Sequence, residues 1–451
     1  MIYQRAVKPT SSTSPETGAA TPAGLESRRA ALDILSLIRK GRSLDEALSE
    51  CRSFDALIGP DRAFARALAT ESLRRRGGVD HVLGAYLDRP LPRKAAKVMD
   101  ILRLAATQSL VLQTPDHAAV STAVDLAGEY SEAKGYAKLI NAVARKVAKN
   151  GPAVFATLPP RTETPGWLWR TWERGYGPVG AKGIALAHQS IPPTDLTPKS
   201  PDAARNLADA LGGELTPTGS IRLKNVSDVT ALSGYDAGDW WVQDMAAALP
   251  ARLLGDIAGK SVYDLCAAPG GKTMQLCAAG ARVTAVDKSE LRLRRVAENL
   301  DRTKLKAEIV NEDVLMWVPK SKADAILLDA SCSATGTIRR HPDIPWTKTP
   351  DDIAGLQSLQ QQMIDHAVTF LKPGGLLIYC VCSLQREEGE LQASAALQRH
   401  QNFIREPIDP KEVGLSSEAI TRDGDLRTLP SHFARSGGMD GFFAVRFRKS
   451  A

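Results

Sequence analysis

Residues 264–273 read DLCAAPGGKT and end a short β-forming run that begins at Ser261. Small side chains and two adjacent glycines let the backbone of such a turn approach a bound ligand before a helix begins. The segment is therefore typical of a strand, turn and helix that together hold a ligand at the end of the strand.

Further β-forming runs alternate with helical patterns from residue 241 to residue 451, which we assign to one domain. The predicted strands are Ser261–Leu265, Arg282–Val286, Ala307–Val310, Ala323–Leu328, Leu376–Cys380 and Phe442–Phe447. Strands separated by helices favour an α/β fold with a mostly parallel, doubly wound sheet, whose ligands bind at the carboxyl ends of the strands.

The turn has two interpretations, a phosphate-binding loop and a nucleoside site. A phosphate-binding loop needs a glycine where Cys266 stands, whereas Asp287 ends the next strand at a spacing suited to ribose hydroxyls. Asp313 and Asp329 follow later strands, so three carboxylates would share one rim. A single aspartate at a strand end is as often a helix cap as a ligand, but three beside a glycine-rich turn favour a nucleoside site.

Two cysteines follow neighbouring predicted strands on the same rim. Cys332 comes after the strand that ends at Leu328, and Cys382 comes after the strand that ends at Cys380. Cysteine is usually a small buried hydrophobe, and that interpretation remains open for both. Their position on the ligand rim instead favours exposed thiols that take part in chemistry.

The first half of the chain shows different patterns. Residues 1–24 are rich in Ser, Thr and Pro and are expected to be disordered, and 25–151 carry helical apolar spacing that predicts an all-helical domain. Residues 152–240 predict a connector and a small α+β domain with a helix at Asn206–Leu211 and a hairpin at Glu214–Leu223. We interpret 190–201 as a polar segment.

Composition limits the function classes. At roughly 100–200 residues per domain, 451 residues correspond to two to four domains. The formal net charge of +7 suits a polyanionic partner, although basic surfaces are often only solvated. The six cysteines fit neither a disulfide framework nor a metal site, so reduced thiols and no metal are expected. No apolar run suggests a membrane span or signal peptide, so a cytoplasmic location is expected. We also expect a monomer.

Several motifs taken together resemble those of the RsmB/Sun (Fmu) family of 16S ribosomal RNA cytosine-5 methyltransferases, whose N-terminal part resembles the helical RNA-binding protein NusB. The resemblance covers nearly the whole chain after Gly24. It rests on the segments at Leu110–Ala127, Asn141–Arg145 and Asp440–Ala444 and on the two cysteine motifs. It implies a Rossmann-like class I methyltransferase domain, S-adenosylmethionine as cofactor and ribosomal RNA as partner.

The resemblance also implies residue roles. Carbon 5 of cytosine is too poor a nucleophile to take a methyl group unaided, and a thiolate that adds to carbon 6 activates it. By position, Cys382 would be this nucleophile, Cys332 would assist product release and Asp329 would hydrogen-bond the cytosine. The cofactor would be bound by Asp287, Asp313, Asp329 and the turn residues Cys266, Ala267, Ala268, Pro269, Gly270, Gly271 and Lys272. Arg339, Arg340 and His341 would face RNA.

Two positions depart from the family pattern, which usually has Pro before the first cysteine and Thr before the second. This chain has Ser331 and Val381 there, and neither change removes a reacting atom. Catalysis is expected to survive, although a looser loop could slow it. The alternatives are a non-catalytic RNA-binding or ribosome-assembly factor, and the same chemistry on transfer RNA or DNA.

Overall fold

The computed structural model describes residues 24–224, 226 and 228–450. The prediction of disorder for residues 1–24 therefore falls almost wholly outside the described residues. Of the helices in this described part, none has both the length and the apolar content that a membrane span needs.

The first part of the chain is a helical bundle, as the apolar spacing predicts. Its helices are α1 Leu25–Arg39, α2 Leu44–Glu50, α3 Arg52–Asp55, α4 Gly59–Arg74, α5 Arg76–Gly84, α6 Ala96–Leu110, α7 Asp116–Glu129, α8 Ser131–Lys134 and α9 Ala137–Ala156. Leu32, Ile34, Leu68 and Ile101 are fully buried in one core that the helices share. Local sequence sets some boundaries, since Ser43 and Glu46 form a capping box that begins α2.

A long helix, α10 Gly166–His188, follows within the stretch interpreted as a connector. It bends at Gly177, whose φ of 71° lies in the left-handed region that glycine adopts without strain. Trp172 and Ile184 of this helix pack with Ile338 and Leu384, two residues of the loops that follow the predicted catalytic cysteines. The helix therefore supports these loops and also connects the helical bundle to the part of the chain that follows.

A small antiparallel sheet comes next and contains two strands that were not predicted from the sequence. Its elements are β1 Thr194–Pro198, α11 Ala204–Leu211, β2 Glu214–Leu215, β3 Ile221–Leu223 and β4 Trp240–Val242, with the strands in the order β2-β3-β1-β4. The predicted helix and hairpin are present. The polar segment 190–201 contains strand β1, in which Asp195 is fully buried against Arg222 in β3, so that its polarity is satisfied there.

The C-terminal part is the α/β domain. Its elements are α12 Leu249–Arg252, β5 Ser261–Leu265, α13 Gly271–Ala278, β6 Arg282–Asp287, α14 Glu290–Thr303, β7 Glu308–Asn311, β8 Ala323–Asp329, α15 Ile344–Thr347, α16 Pro350–Thr369, β9 Leu371–Val381, α17 Glu390–Arg399, β10 Phe403–Arg405, α18 Pro410–Val413, β11 Leu426–Arg427 and β12 Phe443–Lys449. The strand order is β10-β12-β9-β8-β5-β6-β7, with β11 on β12. Strands β5 to β9 pair in parallel, while β10, β11 and β12 are antiparallel.

We predict that Asp195→Ala destabilises the protein strongly. Asp195 binds Arg222 through two contacts of 2.7 Å, and both side chains are buried. Its loss leaves a buried guanidinium without its carboxylate, which costs about 3–5 kcal/mol. Urea unfolding followed by tryptophan fluorescence, to which Trp240 and Trp241 in the adjacent β4 contribute, measures the change.

The matched control is Arg294→Ala, which removes an exposed ion pair with Glu290. This change should alter the unfolding free energy by less than about 1 kcal/mol. Equal effects of the two substitutions would contradict the prediction.

Candidate active site

The pairing of β8 with β9 brings the two predicted cysteine loops together. The strands run in parallel with Asp329 opposite Cys380, and the amide of Ala330 donates to the carbonyl of Cys380 at 3.0 Å. Both strands end at the same rim of the sheet, within a few residues of this pair.

The thiols of Cys332 and Cys382 lie 3.4 Å apart and are half-buried. One of them donates a hydrogen bond to the other. This bond raises the pKa of Cys332 well above its ordinary value, and burial and the nearby carboxylate of Glu388 add to the effect. Cys332 therefore keeps its proton.

Asp329 and Lys272 form an ion pair beside the thiols. The Lys272 ammonium lies 2.8 Å from Asp329 Oδ2 and 5.1 Å from the centre of the Phe442 ring. Burial alone would lower the pKa of Lys272, but the charge of Asp329 outweighs burial and raises it. Lys272, predicted to bind cofactor, thus points towards the carboxylate predicted to bind the base.

The backbone turn between β5 and α13 has the shape of a ligand cradle. Cys266 and Gly270 have φ values of 62° and 99°. Asp287 Oδ2 accepts from the amide of Ala268 at 3.1 Å, and Asp287 Oδ1 accepts from the amide of Ser289 at 2.9 Å. Each oxygen can accept one further hydrogen bond, which suits ribose hydroxyls, so the residues present fit a nucleoside cofactor.

Asp313 caps its own turn. Its Oδ1 accepts from the amide of Leu315 at 2.9 Å, and the side chain is partly buried. The capping role that the sequence left open is therefore present, and the other carboxylate oxygen makes no contact among the described residues that would prevent ligand binding.

Arg339 is placed away from any RNA surface. It is fully buried, pairs with Asp244 at 3.2 Å and Asp440 at 3.1 Å, and donates to the carbonyl of Gly437. The predicted RNA contact of Arg339 is thus incorrect, because buried carboxylates inside the fold pair with its charge. Arg340 pairs with the same two carboxylates and is about one quarter exposed.

His341 lies at the mouth of a cleft between the helical bundle and the α/β domain. The cleft has a volume of about 1090 Å³. Its α/β wall includes Ala268, Pro269, Asp329, Cys332, Cys382 and His341, and its helical wall includes Arg39, Asp45, Ser72, Leu73, Arg76 and Arg103. The helical wall was not identified from the sequence, because no local signal says which bundle residues face another domain.

Direct contacts hold the two walls together. Trp346 Nε1 donates to the carbonyl of Leu73 at 2.8 Å, and Arg74 donates to the carbonyl of Arg339 at 2.6 Å. The amide of Leu44 donates to Asp343 Oδ2 at 3.2 Å. The loop that follows Cys332 is therefore fastened to the helical bundle.

The two departures from the family pattern lie in well-supported backbone. The carbonyl of Ser331 accepts from Gln360 Nε2 at 3.0 Å, so a side chain of α16 restrains the loop where the family has proline. Val381 is fully buried in β9. Both substitutions are therefore compatible with an ordered site.

Within the described residues, no group of three or more His, Cys, Asp or Glu side chains is arranged to hold a metal ion. The described cysteines are all free thiols. The polar groups at the rim include the two thiols, the Lys272–Asp329 ion pair, the carboxylates of Asp287 and Asp313 and the backbone of the cofactor turn.

Comparison with known proteins gives two family matches. Residues 251–448 match the model of 16S rRNA methyltransferase RsmB/F, and residues 25–149 match the NusB family. The protein named ribosomal RNA small subunit methyltransferase B from Erwinia tasmaniensis is 33% identical over 440 residues, which cover 93% of this chain and 97% of the relative. The protein of the same name from Pseudomonas putida is 33% identical, covering 94% and 98%.

Solved structures share the fold. The crystal structure of PH0851 superimposes with a TM-score of 0.75 at 20% identity, covering 94% of this chain and 99% of that one. A methyltransferase homologue from Pyrococcus horikoshii has a TM-score of 0.53 at 26% identity and covers 62% of this chain and 93% of its own. The first match extends over the helical, small and α/β parts.

We predict that Gly336→Ala disrupts the rim. A Cβ at Gly336 would lie 1.9 Å from the carbonyl oxygen of Gly441 and 2.9 Å from that of Cys382, so backbone must move. The loop that carries Cys332 would shift, and shifts of about 1 Å can cost roughly 100-fold in rate. Methyl transfer from labelled S-adenosylmethionine to ribosomal RNA measures the loss.

Gly355→Ala in α16 is the matched control, since a Cβ there has nothing within 4 Å. It should leave activity unchanged and slightly stabilise the helix. An active Gly336→Ala variant would show that the close approach is not needed.

Proposed function

The chain belongs to the RsmB/F family of 16S rRNA methyltransferases, and on that premise we propose that it transfers a methyl group from S-adenosylmethionine to carbon 5 of a cytosine in small-subunit ribosomal RNA. The observation that carries this proposal is the 3.4 Å approach of Cys332 and Cys382 beside Asp329 and the cofactor turn. Two thiols on one rim suit a reaction in which one thiol bonds to the base while the other thiol removes a proton from that base.

Cys382 is the proposed nucleophile. Because Cys332 retains its proton and lies within hydrogen-bond distance, it can donate to Cys382 and stabilise a thiolate there. Addition of this thiolate to carbon 6 of the pyrimidine would break the ring's double bond and make carbon 5 nucleophilic.

Asp329 is the proposed anchor for the cytosine. Its Oδ2 accepts from Lys272, and its Oδ1 accepts a weak hydrogen bond from the buried thiol of Cys380 at 3.5 Å. These two contacts fix the carboxylate at the rim, where it could accept a hydrogen bond from the amino group of the base. The charge of Lys272 would also offset negative charge that develops on the ring.

The cofactor would be held by the turn from Cys266 to Lys272 together with Asp287 and Asp313. S-adenosylmethionine supplies an electrophilic methyl group when bound. Asp287 is suited to ribose hydroxyls, and the backbone of Ala268 and Pro269 forms the part of the turn that lines the shared cleft.

Cys332 is the proposed release residue. After methylation, the proton on carbon 5 must leave before the bond between carbon 6 and Cys382 can break. Cys332 Sγ lies 3.4 Å from Cys382 Sγ and is therefore within reach of the same ring. Because its pKa is raised, Cys332 begins protonated and would first release its own proton to solvent; its thiolate would then be a strong base for the proton on carbon 5. Elimination would leave Cys332 protonated again and return Cys382 as a thiolate.

The target base must leave its stack to reach these thiols, because the rim lies inside a cleft and not on an open surface. RNA bound there would touch the helical bundle as well as the α/β domain. His341 and the exposed edge of Arg340 remain the proposed RNA contacts on the catalytic side.

We predict that the two cysteine variants fail in different ways. Cys382→Ala should abolish 5-methylcytosine formation, since no thiolate can add to the base. Cys332→Ala should accumulate a covalent protein–RNA adduct, because release is blocked after addition. Denaturing gels with ribosomal RNA and labelled cofactor separate the two outcomes.

Cys51→Ala is the control, since Cys51 lies buried in the helical bundle. It should methylate RNA like the parent protein. Retained methylation by Cys382→Ala would refute the assignment of the nucleophile.

We predict that Asp287→Ala weakens cofactor binding. The ribose hydroxyls would lose their acceptor, and loss of the contacts to Ala268 and Ser289 would loosen the turn that holds the cofactor. A hydrogen bond to a charged group contributes about 1.5–3 kcal/mol, so Kd should rise roughly 10- to 100-fold. Calorimetric titration with S-adenosylmethionine measures it. Asp209→Ala on α11, an exposed position, should bind like the parent, and equal affinity for both variants would exclude this role for Asp287.

A further inference from the structure

Glu388 is a fully buried carboxylate to which the reaction described above gives no role. Its Oε1 accepts hydrogen bonds from the amide of Ser333 at 2.8 Å and from Gln360 Nε2 at 3.0 Å. Its Oε2 accepts from the hydroxyls of Ser333 and Ser383. Four donors therefore meet on one side chain.

These donors belong to both cysteine loops. Ser333 directly follows Cys332, and Ser383 directly follows Cys382. Gln360 also donates to the carbonyl of Ser331 at 3.0 Å, so Cys332 is held by contacts on either side of it.

The network continues between the loops. Thr335 Oγ1 lies 3.3 Å from Ser383 Oγ and accepts from the amide of Leu384 at 3.0 Å. The hydroxyls of Ser333 and Ser383 are 3.1 Å apart. The segments after the two cysteines are thus joined by side chains as well as by the sheet.

Burial makes these contacts difficult to break. Among the ion pairs of the described residues, none includes Glu388, and its direct polar partners are the donors described above. A buried carboxylate that loses its hydrogen bonds is left desolvated. Separation of the two loops would remove donors from this side chain, which opposes any movement of one cysteine away from the other.

We propose that Glu388 is a positioning residue that holds Cys332 and Cys382 at the spacing required for both to act on one pyrimidine. The catalytic consequence rests on the proposed cytosine-5 methylation, whereas the control of thiol spacing does not. Glu388 acts through Ser333 and Ser383 and has no contact with the reacting atoms.

The first test measures thiol spacing without any RNA. Diamide takes up the two hydrogens of a thiol pair, and mass spectrometry of the digested full chain quantifies the Cys332–Cys382 linked peptide over time. A disulfide needs Cβ atoms about 3.8 Å apart, so Glu388→Ala should slow this cross-link about tenfold. Glu388→Gln keeps the shape and one carbonyl acceptor, and the serine hydroxyls can reverse to accept from its amide, so it should retain most of the rate.

The second test uses turnover. Glu388→Ala should lower kcat roughly 100-fold through misplaced thiols, while the KM for S-adenosylmethionine stays unchanged because the cofactor turn is untouched. Glu388→Gln should restore most of kcat. A purely structural role would lower both variants' melting temperatures without this split between kcat and KM.

Glu387→Gln is the matched control, since Glu387 neighbours Glu388 in sequence and takes no part in the network. It should cross-link at the parent rate. If Glu388→Ala does not fold, Ser383→Ala replaces it, since this change removes one donor and should slow the cross-link by a smaller factor.

Cross-linking at the parent rate in folded Glu388→Ala, or in Ser383→Ala when that variant is used, would overturn the proposal. Slower cross-linking in a protein whose parent methylates no RNA would instead preserve the positioning role and refute the proposed function. The two failures are therefore distinguishable.

Discussion

The parallel pairing of β8 with β9 is the constraint on which the rest of the site depends. It places Asp329 beside Cys380, and both strands then end at the same edge of the sheet. If β9 slipped by one residue against β8, Asp329 and the side chains of β9 that are now buried would face opposite sides of the sheet. The apolar core around Leu328 and Tyr379 prevents such a slip, so core packing fixes the chemistry at the rim.

The sheet alone does not determine where the loops go after they leave it. Arg339 anchors the loop after Cys332 to Asp244, which follows the small sheet, and to Asp440, which precedes β12. Gly336 packs directly on Gly441 from the same C-terminal segment, with the amide of Gly441 donating to Gly336 at 2.9 Å. Buried charged groups cost free energy unless they are paired. The ion pairs that join these three segments therefore favour one conformation of the loop.

The sequence predicted those features that depend on local pattern. The strand Ser261–Leu265 was predicted with the bounds that the structure has, because an apolar run ends there in a turn of small residues. Strand β1 was not predicted, because the sequence alone marks Asp195 as an ordinary polar residue. Only the structure shows that it is paired with Arg222, which lies 27 positions later. Arg339 was misassigned for the same reason, since a run of basic residues carries no sign of the buried acids that pair with it. Glu388 lies beside Glu387, and nothing in the sequence separates the buried glutamate from its neighbour.

The helical bundle and the rim with the two thiols line the same cleft. Arg39, Ser72 and Arg76 form one wall, and the other wall carries the thiols. Under the proposed function, a polynucleotide that reaches Cys382 would pass the helical wall, which would then contribute to the selection of the substrate. Because Arg74 and Trp346 also fasten the bundle to the loop after Cys332, movement of the bundle would displace the thiols along with the wall. Under the proposed function, these interdomain contacts would couple RNA recognition to catalysis, and a bundle that merely tethered RNA at a distance would not require them.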